Sequence, residues 1–464
     1  MENQNKARAD LRQLMPFFIV AFVGIIYHLR IRPMAGDDVF FSQATSELGL
    51  WDYLIQRYET WTSRFVIEFL LVWIIKYPIL WRLIDLTLFI SFPVLISKIF
   101  DGGKLMDWCA AAAVLLYPFH DMGTAGWITT TVNYFWPVWG MFFVGFLLKK
   151  MLVHKKINIV EGIAGVLVCV IASSHEHVAV ILFVIFILYG IYLICGKSKK
   201  TPLVQDSAGS TLTDKKVIHS NNLYLAGMVL VNIITLISIL LCPGNAGRNA
   251  VSIADLPIFE TYGFGDKLYL GLLSIERVFI ANCDAVFLTV ALVLAMLVYV
   301  KTDDYKKTII SALPVLILFG QTAMRTAYPG LSGLFVMPQE ITEWSWGTLS
   351  TWLPMVYLAV TVAAMLYALW IILGEQPIEY IYALLMLGCG FGAGMILGFM
   401  ATIYVSGERV YITLYFILLF VTMFCIYRME DAVAEKLKQT GGKLAVTLLA
   451  LICLINIGFV TLSC

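Results

Sequence analysis

Charge is what this 464-residue chain has least of: only 14% of its residues are Asp, Glu, Lys or Arg, against about a quarter in an ordinary soluble domain. With 60% hydrophobic residues beside that deficit, a water-soluble globular fold is excluded. The net charge is +1, so no basic field is available to attract nucleic acid. Nine cysteines occur singly, mostly inside apolar runs, with no CxxC and no Cys/His metal-ligand spacing. They read as small core residues, with Cys242 and Cys283 the one pair that can share a side of the membrane and bridge. No polar insertion is long enough for a separate soluble domain, and no clear internal repeat is present. The first apolar segment, residues 14–32, lacks an Ala-x-Ala-like site and is too long for a signal-peptide core, so it reads as an uncleaved first span.

What is present is a succession of apolar runs, each long enough for the roughly 17–25 residues a membrane helix needs. The expectation is an all-α, polytopic membrane protein forming a single integral-membrane domain over residues 1–464, with the lipid bilayer as its solvent. Lysine placement orients it, because positive charge in short loops is retained in the cytoplasm. Lys98 and Lys104, Lys149 to Lys156, Lys197 to Lys216, Lys301 to Lys307 and Arg428 to Lys443 occupy alternate gaps. Taking all as cytoplasmic gives about 13 spans, a cytoplasmic N-terminus and an extracytoplasmic C-terminus. The gaps near 34–78, 120–134, 173–178, 242–283, 321–349 and 404–409 then lie outside. Residues 65–78 are read as a half-helix buried against protein rather than a crossing. Leu48 to Trp61 and Lys267 to Ile280, which interleave charge with apolar residues, are read as helices lying in the interface.

The polar clusters fall on that same outer side. Asp37 and Asp38 follow Gly36 within a residue or two of the first span's end, where acids are costly and call for a reason. One can cap the next helix, and the other can serve as a general base whose pKa low-dielectric surroundings raise. Trp61 and Arg64 close the loop as W-T-S-R, and Arg offers a bidentate fork to phosphate. His120, Asp121, Trp127, Asn133 and Tyr134 combine aromatic faces with polar donors, as a sugar site requires. His175, Glu176 and His177 sit at a span junction. On one helix the two imidazoles would diverge by about 200°, which disfavours a shared metal ion, and Glu176 with one His is read as contacting substrate. CPGNAGRN, residues 242–249, offers glycines for close backbone approach to an anion, with Asn245 and Arg248 beside them. Arg325 near a later span end is a further candidate phosphate contact, in a loop that also carries Tyr328, Glu340, Glu343, Trp344 and Trp346.

This order of motifs, GDDVFF, WTSR, WITTTVNYFW, the His-Glu pair and PGNAGR, resembles the GT-C superfamily of integral-membrane glycosyltransferases over residues 15–250. The resemblance implies a catalytic module in residues 1–250, with 251–464 adding transmembrane helices. It also implies a polyprenyl-phosphate-linked sugar as donor and a first-loop Asp, here Asp37 or Asp38, as base. The departure from the pattern is that no metal-binding acidic pair recurs in the second outer loop, where Asp121 stands alone; no cofactor is expected and a metal is not indicated. The function so implied is inverting transfer of a sugar to a cell-surface glycan or glycolipid hydroxyl on the extracytoplasmic face of the cell membrane. The alternatives are an O-antigen-type polymerase or ligase, which relies on a large late loop, and a transporter or lipid flippase, which puts charge near the midplane.

Overall fold

In a computed structural model of the chain, residues 2–196, 215–328, 346–404 and 406–463 are described. Among them the chain is helical throughout, with no strand, as a bilayer requires when every backbone N–H and C=O must be satisfied within its own segment. Ten helices among the described residues are long and apolar enough to cross a membrane. An eleventh crossing results if Tyr305–Ser311 and Leu313–Met324, bent by 52°, are taken together. This is fewer than the thirteen expected, because Lys104–Leu116 and Ile159–Ser173 have only 13 and 15 residues. At 1.5 Å per residue they rise roughly 20 Å and 23 Å, short of a ~30 Å hydrocarbon core. Phe65–Ile74 is a ten-residue apolar helix, half a crossing in length, as its sequence implied.

The chain divides into two compact units. The first comprises residues 1–102 and 122–248, the second residues 103–121 and 249–463. In the first, Glu2–Arg30 packs on Pro78–Ile99 through Gly24, where an added Cβ would lie 2.7 Å from the Phe89 ring. A buried polar knot locks the same pair: His28 Nε2 meets Asp85 Oδ2 at 3.0 Å, and Trp136 Nε1 donates to Asp85 Oδ1 at 2.7 Å. Charge in hydrocarbon persists only when paired this way.

The first unit is polarised end to end. Trp136–Leu152 carries the chain away from Asn133 toward Lys149 and Lys150, and Ile159–Ser173 returns it to His175. At the lysine end Lys149 pairs with Asp101 at 2.8 Å and Lys150 with Glu161 at 2.6 Å. Asn221 ties that turn down, accepting from Ile157 N at 3.1 Å and donating to Lys155 O at 3.0 Å. The opposite end gathers the motifs singled out above.

The second unit corrects one expectation. Phe264–Glu276, continued by a π-turn over Arg277–Ala281, is packed against protein more deeply than its mixed sequence suggests. Leu270, Leu273, Ile275, Glu276, Phe279 and Ile280 are all buried. Gly271 and Gly398 explain this: each lets backbone approach backbone so closely that a Cβ would meet a carbonyl oxygen, of Met395 and Lys267 respectively, inside 2.5 Å. At the end of Lys104–Leu116, Asn456 Nδ2 lies 2.8 Å, 3.1 Å and 3.1 Å from the carbonyls of Leu115, Leu116 and Tyr117, acceptors a helix end otherwise leaves unpaired.

Candidate functional site

The two acids of the first loop are treated differently by the fold. The turn bearing them is clamped onto the turn before Trp127 by two glycines with left-handed backbone. Gly36 has φ 57° and Gly126 φ 106°, and Asp37 N donates to Ala125 O at 2.9 Å. Asp38 is wholly buried, at 0% exposure. Its Oδ1 accepts from Thr129 N and Thr129 Oγ1, both at 2.8 Å. Its Oδ2 accepts from Ile128 N at 3.3 Å and Met34 N at 3.1 Å. Asp38 thus satisfies orphan N–H groups at the start of the helix running from Trp127, a capping role played from another segment. Asp37, one residue earlier, is exposed.

From Thr129 the contacts run on. The helix widens into a π-turn over Thr131–Phe135, which turns Asn133 and Tyr134 toward Arg64. Asn133 Nδ2 donates to Thr129 O at 2.8 Å, and its Oδ1 accepts from Arg64 Nη1 at 3.2 Å. The Arg64 guanidinium lies over the Tyr134 ring at 5.3 Å and pairs with Glu176, Nε to Oε2 at 2.9 Å and Nη2 to Oε2 at 2.8 Å. Ser63 Oγ donates to the other carboxylate oxygen at 3.0 Å. Burial alone would lower the Arg64 pKa, but the Glu176 carboxylate outweighs it and holds the guanidinium firmly charged.

Arg248 joins this group. Its pKa is lowered by burial, with Glu176 opposing and Arg64 adding to the fall. The turn before it is seated by Gly244 and Gly247, whose Cβ positions would strike the backbone of Tyr58 to Thr62 at 2.4–2.7 Å. Asn245 braces the turn, its Nδ2 donating to Ile239 O at 2.9 Å. Cys242 Sγ donates to Tyr58 O at 3.1 Å, and both Cys242 and Cys283 are free thiols, not a bridge.

The histidines require a further correction. His175 and His177 do not diverge; their rings meet at 5.3 Å, edge to face. The reason is that His175 lies in the bend at the junction, before the helix Glu176–Gly196 begins, so the 100° step does not apply. His175 is 1% exposed, packs on Tyr134 at 5.2 Å, and neither ring nitrogen makes a hydrogen bond. Burial, reinforced by Arg64 and only partly opposed by Glu176, pushes its pKa far down, so the ring is neutral.

Other candidates fall elsewhere. Trp61 is held under the Arg57 guanidinium at 5.4 Å, and Trp127 is buried against Gly123. His120 and Asp121 belong to the second unit, as does Arg325, whose side chain lies outside the described residues, as do Glu340, Glu343 and Trp344. Trp346 Nε1 donates to Asp266 Oδ1 at 3.0 Å, and Tyr328 is exposed. Sequence reasoning missed Ser63 and the pair Arg57–Glu68, in which Arg57 Nη2 meets Glu68 Oε1 at 2.9 Å and Tyr53 OH donates to Oε2 at 3.0 Å. The signal was there, since an acid in the apolar run FVIEFLLV demands a buried partner. Among the described residues, no three His, Cys, Asp or Glu side chains converge as metal ligands.

No family model matches the chain, and no match was found among curated proteins or among solved structures.

Proposed function

We propose that the chain is a membrane glycosyltransferase that moves a sugar from a polyprenyl-phosphate donor to a hydroxyl of a cell-surface glycan or glycolipid. The observation that carries the reading is the convergence of Arg64, Glu176, Arg248, Asn133, Tyr134 and His175, from four separated segments, at the end of the first unit opposite its lysines. Two arginines against one carboxylate, with His175 neutral, leave the cluster with one net positive charge. That matches the single negative charge of a sugar phosphodiester. Lysines retained in the cytoplasm put this end outside.

Asp37 is the base in this reading, because Asp38 has its oxygens committed to four donors while Asp37 is exposed beside it. Asp37 takes the proton of the acceptor hydroxyl, and the oxygen attacks the anomeric carbon opposite the phosphate. The bond from that carbon to the phosphate oxygen breaks, its electron pair leaves with the lipid phosphate, and the configuration inverts. Arg248 and Arg64 stabilise the charge developing on the departing phosphate, the contribution that usually dominates such catalysis. Asn133 and Tyr134 position the sugars, with the alcohols meeting amide and ring edges.

Purified full-length protein in lipid nanodiscs, supplied with synthetic polyprenyl-phosphate sugars and an envelope glycan extract, tests this by mass spectrometry of the product. Asp37→Asn is expected to lower transfer by about 10²-fold or more, the usual contribution of a general base. Arg248→Ala is expected to lose about 10²-fold by removing transition-state charge stabilisation. Wild-type rates in both variants would reject the reading.

A further inference from the structure

The second unit holds a cluster that glycosyl transfer does not use. His120 and Asp121 leave the helix Lys104–Leu116 through Tyr117. Asp284 caps Ala285–Thr302, its Oδ1 accepting from Phe287 N at 2.8 Å. Glu408 and Arg409 open the turn before Ile412–Arg428. His120 Nε2 lies 3.3 Å from Asp121 Oδ1, Tyr415 OH donates to Asp284 Oδ2 at 3.0 Å, and Asn282 Nδ2 donates to Glu408 Oε1 at 3.1 Å. Asp121, Asp284 and Glu408 are each within electrostatic reach of the Tyr117 hydroxyl. Three carboxylates against Arg409 and a neutral His120 leave the group acidic.

An acidic group alone is not a site, but its floor adds a second observation. Tyr117 is 2% exposed, its ring is fixed edge-on to Tyr415 at 5.6 Å, and its hydroxyl makes no hydrogen bond. A buried hydroxyl without a partner costs free energy unless something arrives to meet it. From Tyr117 at the floor the group rises to half-buried Asp284, Glu408 and His120, then exposed Asn282.

We propose that this cluster binds a primary ammonium group, with the Tyr117 hydroxyl and the carboxylates of Asp121, Asp284 and Glu408 as its acceptors and the Tyr117 and Tyr415 rings as its wall. The chemistry of the group favours an ammonium over a metal ion. A metal ion needs several oxygens drawn to about 2.3–2.6 Å, and no three described His, Cys, Asp or Glu side chains form a group that could hold one. An ammonium donates along three directions to acceptors roughly 4.5 Å apart, and aromatic walls favour it further. Burial, then Glu408 and Asp284, pushes the Asp121 carboxyl up to about 8, and burial pushes Asp284 up to about 7. The cluster therefore holds protons at neutral pH that an ammonium would displace. The ammonium can come from an ethanolamine lipid headgroup or from an amino sugar.

The test uses the purified full-length protein in detergent at about pH 8.5, where the carboxyls are more than half ionised. Thermal unfolding is followed with ethanolammonium chloride and, at equal ionic strength, potassium chloride. Saturable stabilisation by ethanolammonium alone is expected. Its half-saturating concentration should rise about tenfold in Asp121→Asn and severalfold in Tyr117→Phe, which keeps the ring packing. Nanodiscs of phosphatidylethanolamine or phosphatidylcholine, the latter with added glucosamine, tell the headgroup source from the sugar source. Equal stabilisation by potassium, or unchanged ethanolammonium binding in a folded Tyr117→Phe variant, would overturn the assignment. So would a cluster that titrates with pH but never responds to the amine. None of these readings depends on sugar transfer.

Discussion

Asp37 and Asp38 are chemically identical neighbours, and their surroundings give them different work. Because Asp38 is buried with four donors, Asp38→Ala is expected to cost about 2–4 kcal/mol, the sum of a lost cap and of donors left unmet, read as a lower unfolding midpoint in detergent. Gly126→Ala is expected to destabilise by a similar amount, about 2 kcal/mol or more, since its φ of 106° is strained for alanine and the new Cβ would stand 2.6 Å from Asp38 Oδ1. Asp121 carries a pH signature. Burial, with Glu408 and Asp284 nearby, pushes its carboxyl up to about 8 from an ordinary 3.8, so the folded chain binds this proton more tightly than the unfolded one. The stability it contributes is fully present below about pH 4 and is lost as pH rises through about 8. The unfolding midpoint should fall across that window, and Asp121→Asn should leave only the shallower fall due to Asp284. At this scale the sequence was partly legible. It pointed to the acid pair, Arg64, Glu176 and Arg248, because charge beside hydrocarbon is conspicuous. It could not say which of two adjacent acids turns inward, nor that a bend at His175 would bring two imidazoles into contact.

Among the elements, Phe65–Ile74 is the instructive one. Ten residues cannot cross a bilayer, and the one acid in this apolar helix, Glu68, is met by Arg57 and Tyr53. Glu68→Ala should therefore lower stability by about 3 kcal/mol, since Arg57 is left half-buried without its counter-charge, while a Glu68→Ala/Arg57→Leu double variant should recover part of that loss. Thermal unfolding of the wild type and the two variants decides it. Hydropathy revealed this half-helix because its apolar run is short and ends at Pro78. It misjudged Phe264–Ala281 because Glu276 and Arg277 look like a water-facing edge. Burial there comes from Gly271 and Gly398, and close backbone approach leaves no mark in a hydropathy pattern.

For the molecule as a whole, the polarity of the first unit is the organising fact. Lys149 meets Asp101 at the end where Ile99 also finishes, and the arginine cluster occupies the other. Ile159–Ser173, with 15 residues, runs between these two ends. In intact cells, Thr124→Cys is expected to react with a membrane-impermeant maleimide and Lys155→Cys to react only after permeabilisation. Equal labelling of both would discard the assigned sidedness. The widened turn at Thr131–Phe135 has a consequence of its own. It is a helix with one residue too many, and the surplus is what swings Asn133 against Arg64. Deleting Val132 would return the segment to regular pitch and leave the helix Trp136–Leu152 intact, yet the amide would rotate out of reach. The direction of that amide is, in this sense, stored as a miscount in the composite helix Trp127–Leu152.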